Sequence, residues 1–453
     1  MNDKSLSFWA RAKNLYSDPK VIALALLGFT AGLPYMLIFG TLNTWMRELD
    51  ISRSAIGYFS WAGIFFSVKF FWSPVVDRIA IPWLSQRIGL RRSWMLLGQI
   101  GIACGLVGMS LTDPKTSLAV MAAFTVWVAF SSATHDIALD AFRIQTASTE
   151  KQGALAAAYI AGYRIAILTS FTGALILAEW LPWSVTYMCM AALMITGIIT
   201  TLYLIEEPIV NLQKDPLEIQ TDRELIAQSH NSIRRAWAHW LSCLIGAFSD
   251  FFRRNGLKVG VVLLCLVACY RISDIVMANM ASVLYVDLGF TKAQFGSISG
   301  GYGLIMTLSG AALGGLLVAM GELRRLLLIG AVFVALTNLG FAYLSTQGAN
   351  IWLLTGVITL DNFTGGFATS LFVAYLSSLT SSAYTTTQYA LFSSLMTLPG
   401  KILSGFSGRL VDAFGYVNFF SYATLLGLPA VLLLLWLMRY QQNPLIPPAS
   451  RVI

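Results

Sequence analysis

Charge is what this sequence has least of. Asp, Glu, Lys and Arg together make up 11% of the 453 residues, while 57% are hydrophobic; a soluble globular chain carries about 25% charged residues. That deficit excludes an ordinary water-soluble fold. Histidine is rarer still, at three residues, and the five cysteines (Cys104, Cys189, Cys243, Cys265 and Cys269) lie scattered through apolar sequence. Their spacing fits neither a disulfide framework nor a metal site, so they read as small core residues and no metal is expected. No glycine loop ending in Gly-Lys-Ser/Thr is present, which excludes an ATP-driven pump within this chain. No Ser/His/Asp set has a supporting context, so the chain reads as no enzyme, with no catalytic residues and no cofactor.

What is there is a series of long apolar runs, with a mean hydropathy of +0.69. A spanning helix needs about 20 apolar residues, and about twelve runs of that length can be marked. They cover 21–45, 55–76, 93–111, 117–141, 153–179 and 183–205, then 258–285, 293–319, 325–345, 351–379, 385–410 and 418–438. Most connections are a few residues long. The polar segment 206–257 divides the runs six and six, as in transporters built from two six-helix repeats. The expected fold is therefore an all-α polytopic membrane protein with twelve transmembrane helices in two six-helix bundles, 21–205 and 258–438. The remainder is a cytoplasmic N-terminal tail, 1–20, a cytoplasmic linker, 206–257, and a cytoplasmic C-terminal tail, 439–453. The first run is too long for a signal-peptide core and lacks a cleavage site after it, so it is expected to remain as a helix.

A net charge of +8 suggests nucleic acid in a soluble protein. Here its distribution has a simpler cause. With the N-terminus inside, the inside segments hold 21 of the 30 Lys and Arg and the outside loops hold five: Arg47, Arg53, Lys115, Lys292 and Arg409. That asymmetry puts both termini in the cytoplasm and makes the lipid bilayer, not nucleic acid, the partner. In the linker, Thr221 and Glu224 form a capping-box pattern. Downstream, Ile233, Trp237, Trp240, Leu241, Leu244 and Phe248 share one helical face, as in a helix lying on the membrane surface. A solvated linker is the alternative.

The two halves echo each other. LRRSWMLLG opens the third run and LRRLLLIGA the ninth; Asp136 and Asp140 lie in the fourth run and Asp361 in the tenth; Arg164 lies in the fifth and Lys401 in the eleventh. Together these favour a duplicated unit. Besides charges that close a run at either end, the charges inside runs are Lys69, Asp136, Asp140, Arg164, Arg271, Asp274, Asp361 and Lys401. A charge at the bilayer centre costs about 2.5–3.5 kcal/mol on insertion scales, so such residues face a protein interior or a wet cavity, usually with a partner. A shared cavity between the halves would accommodate all eight.

Asp136 and Asp140, four apart, share a helix face, and like charges so close raise each other's proton affinity. That suits a proton-coupled carrier. Lys69 and Arg164 suit the docking of an anionic group, Arg by its planar fork. The alternative is a salt-bridge network that fixes helix packing. Asp77 and Arg143 lie at run ends, where a positional role is expected. His135 points about 100° away from Asp136 on a helix; it relays protons, binds ligand or bonds between helices. Gly28 and Gly32, four apart before Pro34, and Gly365 and Gly366 beside Asp361 and Asn362, permit close helix contact or mark a broken helix at a transport site.

The link WSPVVDRIAIPWLSQRIGLRRSW resembles that between the second and third spans of the major facilitator superfamily, with Asp77, Arg78, Arg91 and Arg92 in the matching, gating places. More narrowly, GFTAGLPYMLIFGTLNTWM, IGYFSWAGIFFSVKFFWSPVVDR, SSATHDIALDAFR, GALAAAYIAGYR and TQYALFSSL resemble the AmpG-type muropeptide permeases, from about residue 21 to 430. The resemblance implies proton-driven import of N-acetylglucosaminyl-1,6-anhydro-N-acetylmuramyl peptides from periplasm to cytosol across a bacterial inner membrane. It implies that Lys69, Asp136, Asp140 and Arg164 belong to a charged central region, with Gly32 in the glycine-containing first helix and Gln388 in the TQ-aromatic-A motif. His135, Asp136, Asp274, Asp361, Asn362 and Lys401 complete the expected substrate contacts, and Asp136 and Asp140 the proton-coupling pair. The chain departs from the family pattern at His135 (usually Gln), Asp361 (usually Glu), Arg271 and Lys401 (Lys and Arg exchanged), and counts twelve spans where some relatives carry two more. The expected partners are a small glycopeptide and protons, and a monomer is expected. The other readings are an importer of a siderophore or another peptide or nucleotide conjugate, and, from a different class, a membrane enzyme or receptor.

Overall fold

The computed structural model describes residues 19–146, 152–206, 248–320, 323–379 and 385–441, with positions 241, 245 and 246. Every regular element among them is helical. The N-terminal tail, the Thr221–Glu224 cap, most of the amphipathic face in the linker and nearly all of the C-terminal tail lie outside the described residues.

Lipid offers the backbone no hydrogen-bond partners, so a spanning chain satisfies itself as helix. Among the described residues the main helical segments are α1 Pro19–Glu48, α2 53–78, α3 Leu90–Ser110, α4 Leu118–Thr146, α5 152–180, α6 Trp183–Leu204, α7 Leu257–Asp287, α8 Lys292–Val318, α9 Leu323–Leu344, α10 Ile351–Leu379, α11 Thr385–Ser404 and α12 Ser407–Tyr440. Among the described residues ten of these are long and apolar enough to cross a membrane. The other two are α2, interrupted by 3-10 turns at Ser60–Gly63 and Lys69–Phe71, and α11, which contains Pro399, Lys401 and many hydroxyl residues. Ser52 caps α2 by accepting from the Ala55 amide at 3.3 Å, and Thr291 with Gln294 forms a capping box at the start of α8. Gly415, at φ 78°, breaks α12, a conformation that glycine alone adopts without steric cost.

By contact the chain divides into two compact units: Met1–Leu42 with Lys69–His239, and Asn43–Val68 with Trp240–Ile453. The first unit buries Leu24, Leu27, Met95 and Phe142 at its centre. The second is built around Phe251, Leu371, Phe372 and Tyr270, whose ring stacks on that of Phe372 at 4.2 Å. The second unit also takes the connected ends of α1 and α2, residues 43–68, because these pack on α7, α11 and α12.

In the first unit α1 and α5 touch backbone to backbone. A Cβ on Gly162 would stand 1.9 Å from the Ala25 carbonyl oxygen, and one on Gly28 2.2 Å from that of Tyr159. No rotamer relieves a clash with a main-chain atom, so the helices must part. Gly162→Ala should therefore destabilise by about 1–3 kcal/mol, the usual cost of overpacking. It should lower the thermal unfolding midpoint in detergent by several degrees, whereas Gly365→Ala, which has open space, should leave it within experimental scatter.

Candidate functional site

The charges within the helices form one group in each unit. In the first, α4 carries Asp136, Asp140 and Arg143 on successive turns, and the 3-10 turn of α2 brings Lys69 to them. Lys69 Nζ stands 3.8 Å from Asp136 Oδ2 and 3.7 Å from Asp140 Oδ2, and Arg143 Nη2 stands 3.5 Å from Asp140 Oδ1. One ammonium is thus shared almost equally by two carboxylates. The Asp140 side chain is 44% exposed and that of Asp136 only 18%. One turn beyond Lys69, the Trp72 indole N–H donates to Thr134 Oγ1 at 3.1 Å and its ring packs on Phe130, which fixes α2 against α4 at this level.

Around this group the expected residues take different places. His135 is fully buried beside Asp136, turned toward α3. Arg164 is half-buried on α5, next to Tyr163. Gly32 lies in the α1–α5 contact, where a Cβ would come 2.7 Å from the Tyr163 carbonyl oxygen. Of the expected gating set, Arg92 donates from Nε to the Thr201 carbonyl at 2.9 Å and from Nη2 to the Leu202 carbonyl at 2.8 Å, which holds the end of α6. Arg91 is half-buried one residue before it, and the side chains of Asp77 and Arg78 lie outside those described.

In the second unit α7 breaks at Tyr270 and Arg271, and the freed Arg271 pairs with Asp274 and bonds to Thr369 of α10. Asp361 of α10 accepts from Thr337 Oγ1 of α9 at 3.3 Å. The neighbouring Asn362 accepts from Thr307 Oγ1 of α8 at 3.0 Å. Lys401 donates to Ser67 Oγ at 2.9 Å, with its ammonium over the Phe66 ring. Gln388 is buried elsewhere, accepting from Arg254 Nη2 at 3.1 Å and donating to Asp250 at 3.0 Å. Arg271, Asp274 and Asp361 therefore lie within electrostatic reach of one another, Asn362 faces α8, and Gln388 stands in a separate network.

Sequence reasoning missed one polar assembly. Asp287, at the end of α7, takes Arg47 on one carboxylate oxygen and Arg53 on the other, the latter at 2.7 Å, with the Tyr416 hydroxyl donating to it as well. Arg53 also pairs with Asp412 at 3.3 Å, and Asp412 accepts from the Ser54 amide at 3.0 Å and its hydroxyl at 2.6 Å. Beside them Lys292 pairs with Glu48 at 3.0 Å. Further along the same helices, Asn279 donates to Ser404 and Ser407, accepts from Asn43, and Ser60 bonds to Ser404. These contacts bind the connected ends of α1 and α2 to α7, α8, α11 and α12. The signal for them was present: three of the five cations in the expected outside loops, Arg47, Arg53 and Lys292, are the ones that find acids here.

With this geometry in view, the comparisons with known proteins agree with one another. The family model of the Major Facilitator Superfamily matches residues 24–400. A putative transporter, AmpG 4, of Rickettsia conorii is 34% identical over 430 residues, 94% of this chain and 98% of that protein. The anhydromuropeptide permease of Escherichia coli K12 is 32% identical over 423 residues, 93% of this chain and 80% of that protein. Among solved structures, a D-xylose-proton symporter superposes with a TM-score of 0.65 at 14% identity, over 96% of this chain and 99% of that one, a likeness of fold alone.

Proposed function

The chain belongs to the Major Facilitator Superfamily and within it to the AmpG-type permeases, a multi-pass membrane transporter, and from that premise we propose that it imports anhydromuropeptides, driven by the proton gradient. The reading carries N-acetylglucosaminyl-1,6-anhydro-N-acetylmuramyl peptides from periplasm to cytosol across a bacterial inner membrane, both termini cytoplasmic, for cell-wall recycling. The E. coli relative's being an anhydromuropeptide permease supports the cargo. The single observation that carries the coupling is Lys69 shared by Asp136 and Asp140 at 3.8 and 3.7 Å.

Lys69 and Arg143 match Asp136 and Asp140 in number, but Arg143 reaches Asp140 alone, so Asp136 has only a shared ammonium in a low-dielectric site. A proton on Asp136 relieves that shortfall; an arriving cationic or hydrogen-bonding group of the cargo can serve instead. Proton and cargo then act on the same cluster, the physical content of coupling. Arg164 is suited to a cargo carboxylate through its two-pronged guanidinium. In the second unit Arg271, Asp274, Asp361 and Asn362 present a further set of donors and acceptors, beside a break in α7 of the kind that lines transport sites. Alternating access would require the cluster around Asp287, on the periplasmic side in this orientation, to open and close.

Purified protein in proteoliposomes should accumulate labelled anhydromuropeptide above the outside concentration when the outside is acidic, and not when an uncoupler is present. Unlabelled anhydromuropeptide should compete, while a ferric siderophore, a nucleotide conjugate and a free peptide should not. Accumulation that ignores the gradient removes the coupling; competition by the siderophore alone replaces the cargo.

A further inference from the structure

Two buried polar atoms face each other in the first unit, neither of them hydrogen-bonded among the described residues. They are His135 Nδ1 and Asp136 Oδ1, 4.0 Å apart. On the far side of the ring, His135 Nε2 lies 3.4 Å from Gln99 Nε2 of α3. Gln99 is itself oriented by the Thr201 hydroxyl of α6, which donates to its Oε1 at 3.1 Å. His135, Gln99 and Thr201 are all fully buried. Gly98 makes the approach possible, since a Cβ there would come 2.7 Å from His135 Cβ.

Hydrogen-bond chemistry then selects one form of the imidazole. With its oxygen engaged by Thr201, the Gln99 amide turns its NH2 toward the ring, so His135 Nε2 has to accept and carries no proton. A neutral imidazole has one N–H, which is therefore at Nδ1. The other end of the ring requires the same answer: Nδ1 faces a carboxylate, which when ionised only accepts. Two independent neighbours agree on one tautomer.

We propose that His135 is a positioning residue for the proton-carrying carboxylate: held as the Nδ1–H tautomer by Gln99 and Thr201, it turns its single donor onto Asp136 Oδ1. Asp136 then has a donor on two sides: the imidazole 4.0 Å from Oδ1, beyond hydrogen-bond length and acting as a dipole, and Lys69 3.8 Å from Oδ2, which leaves Oδ2 as the atom that exchanges Lys69 for a proton. The other charged and titratable groups facing this carboxylate are Asp140 on α4 and Tyr159 and Tyr163 on α5, with Arg143 reaching Asp140. The Asp136 part of this proposal rests on the proton-coupling reading above; the tautomer does not.

Nitrogen-15 magnetic resonance of the histidine-labelled full chain in lipid reads the tautomer directly. Three histidines are present, and the resonances missing from His135→Gln assign His135. A protonated Nδ1 with a bare Nε2 is expected; a protonated Nε2 would overturn the proposal whatever the transport result. In proteoliposomes, His135→Leu should lower gradient-driven uptake about tenfold and shift its dependence on outside pH, as expected when the donor facing a charged group is lost. His135→Gln, whose amide retains a donor, should keep the wild-type pH profile and most of the rate. Identical profiles in wild type and the leucine variant would also overturn it. Absent gradient-driven uptake in the wild type counts against the carrier reading, and the resonance measurement still decides the tautomer.

Discussion

Asparagine in place of Asp136 should abolish uphill accumulation of anhydromuropeptide while leaving exchange of cargo across the membrane. The substitution keeps size and polarity but removes the group that takes up the proton. Lys69 and Arg143 then share Asp140 alone, at 3.7 and 3.5 Å, a carboxylate that gains nothing from protonation. With no proton moving, the gradient does no work on the cargo, and accumulation should fall by about two orders of magnitude, to the level set by equilibration. The exchange measurement separates this from misfolding, because a misfolded carrier loses both activities. Asp140→Asn should show a weaker form of the same defect, since Asp140 is the more exposed carboxylate and also has Arg143 at 3.5 Å. Wild-type accumulation in the Asp136 variant would end the assignment of proton coupling to this cluster.

The second large effect is expected at Asp287. This one carboxylate pairs with both Arg47 and Arg53, the latter also reached by Asp412, and the Asp287, Arg47 and Arg53 side chains are only 11%, 18% and 28% exposed. Removing one member of a buried ion pair costs about 3–5 kcal/mol because the partner charge is left stranded. Partial exposure brings that toward the lower end. A loss of about 3 kcal/mol moves a two-state equilibrium by more than a hundredfold. Asp287→Ala should therefore release the connected ends of α1 and α2 and trap the carrier with them apart, cutting uptake at least tenfold. A reporter cysteine at Ser60, which is buried against Ser404, in a background free of native cysteines, should react with an impermeant maleimide many times faster in the variant. Replacing Arg409 with Ala removes a cation from the same region without touching Asp287 and should change neither readout. Equal labelling of Ser60→Cys with and without Asp287 would show that the cluster does not hold these ends.

Much of this was legible along the chain, and the reason is the solvent. A bilayer demands about 20 apolar residues per crossing and leaves no backbone group unbonded, so segment lengths, helical class and the odd charged positions stand out in composition alone. The shared face of Asp136 and Asp140 is likewise a local fact, fixed by 3.6 residues per turn. Count was the less certain part: α2 and α11 are helical but too interrupted or too polar to qualify as spans by length and hydropathy. A helix period says which residues share a face and never which other helix that face meets. Gly32 reads equally well as a cargo contact or a packing site until Tyr163 is found against it. Gln388 sits in a family motif yet bonds to Asp250 and Arg254, across separations of 138 and 134 residues.

Sequence by itself determined the class of molecule and the identity of the ionisable groups, because those follow from what lipid tolerates. Tertiary structure decided who holds whom. Lys69 between two carboxylates, Asp287 between two arginines more than two hundred residues away, and a buried histidine set 3.4 Å from a glutamine on another helix are all choices among equally plausible partners. Electrostatic and hydrogen-bond energies fall off within a few ångströms, so only the packed helices select among them.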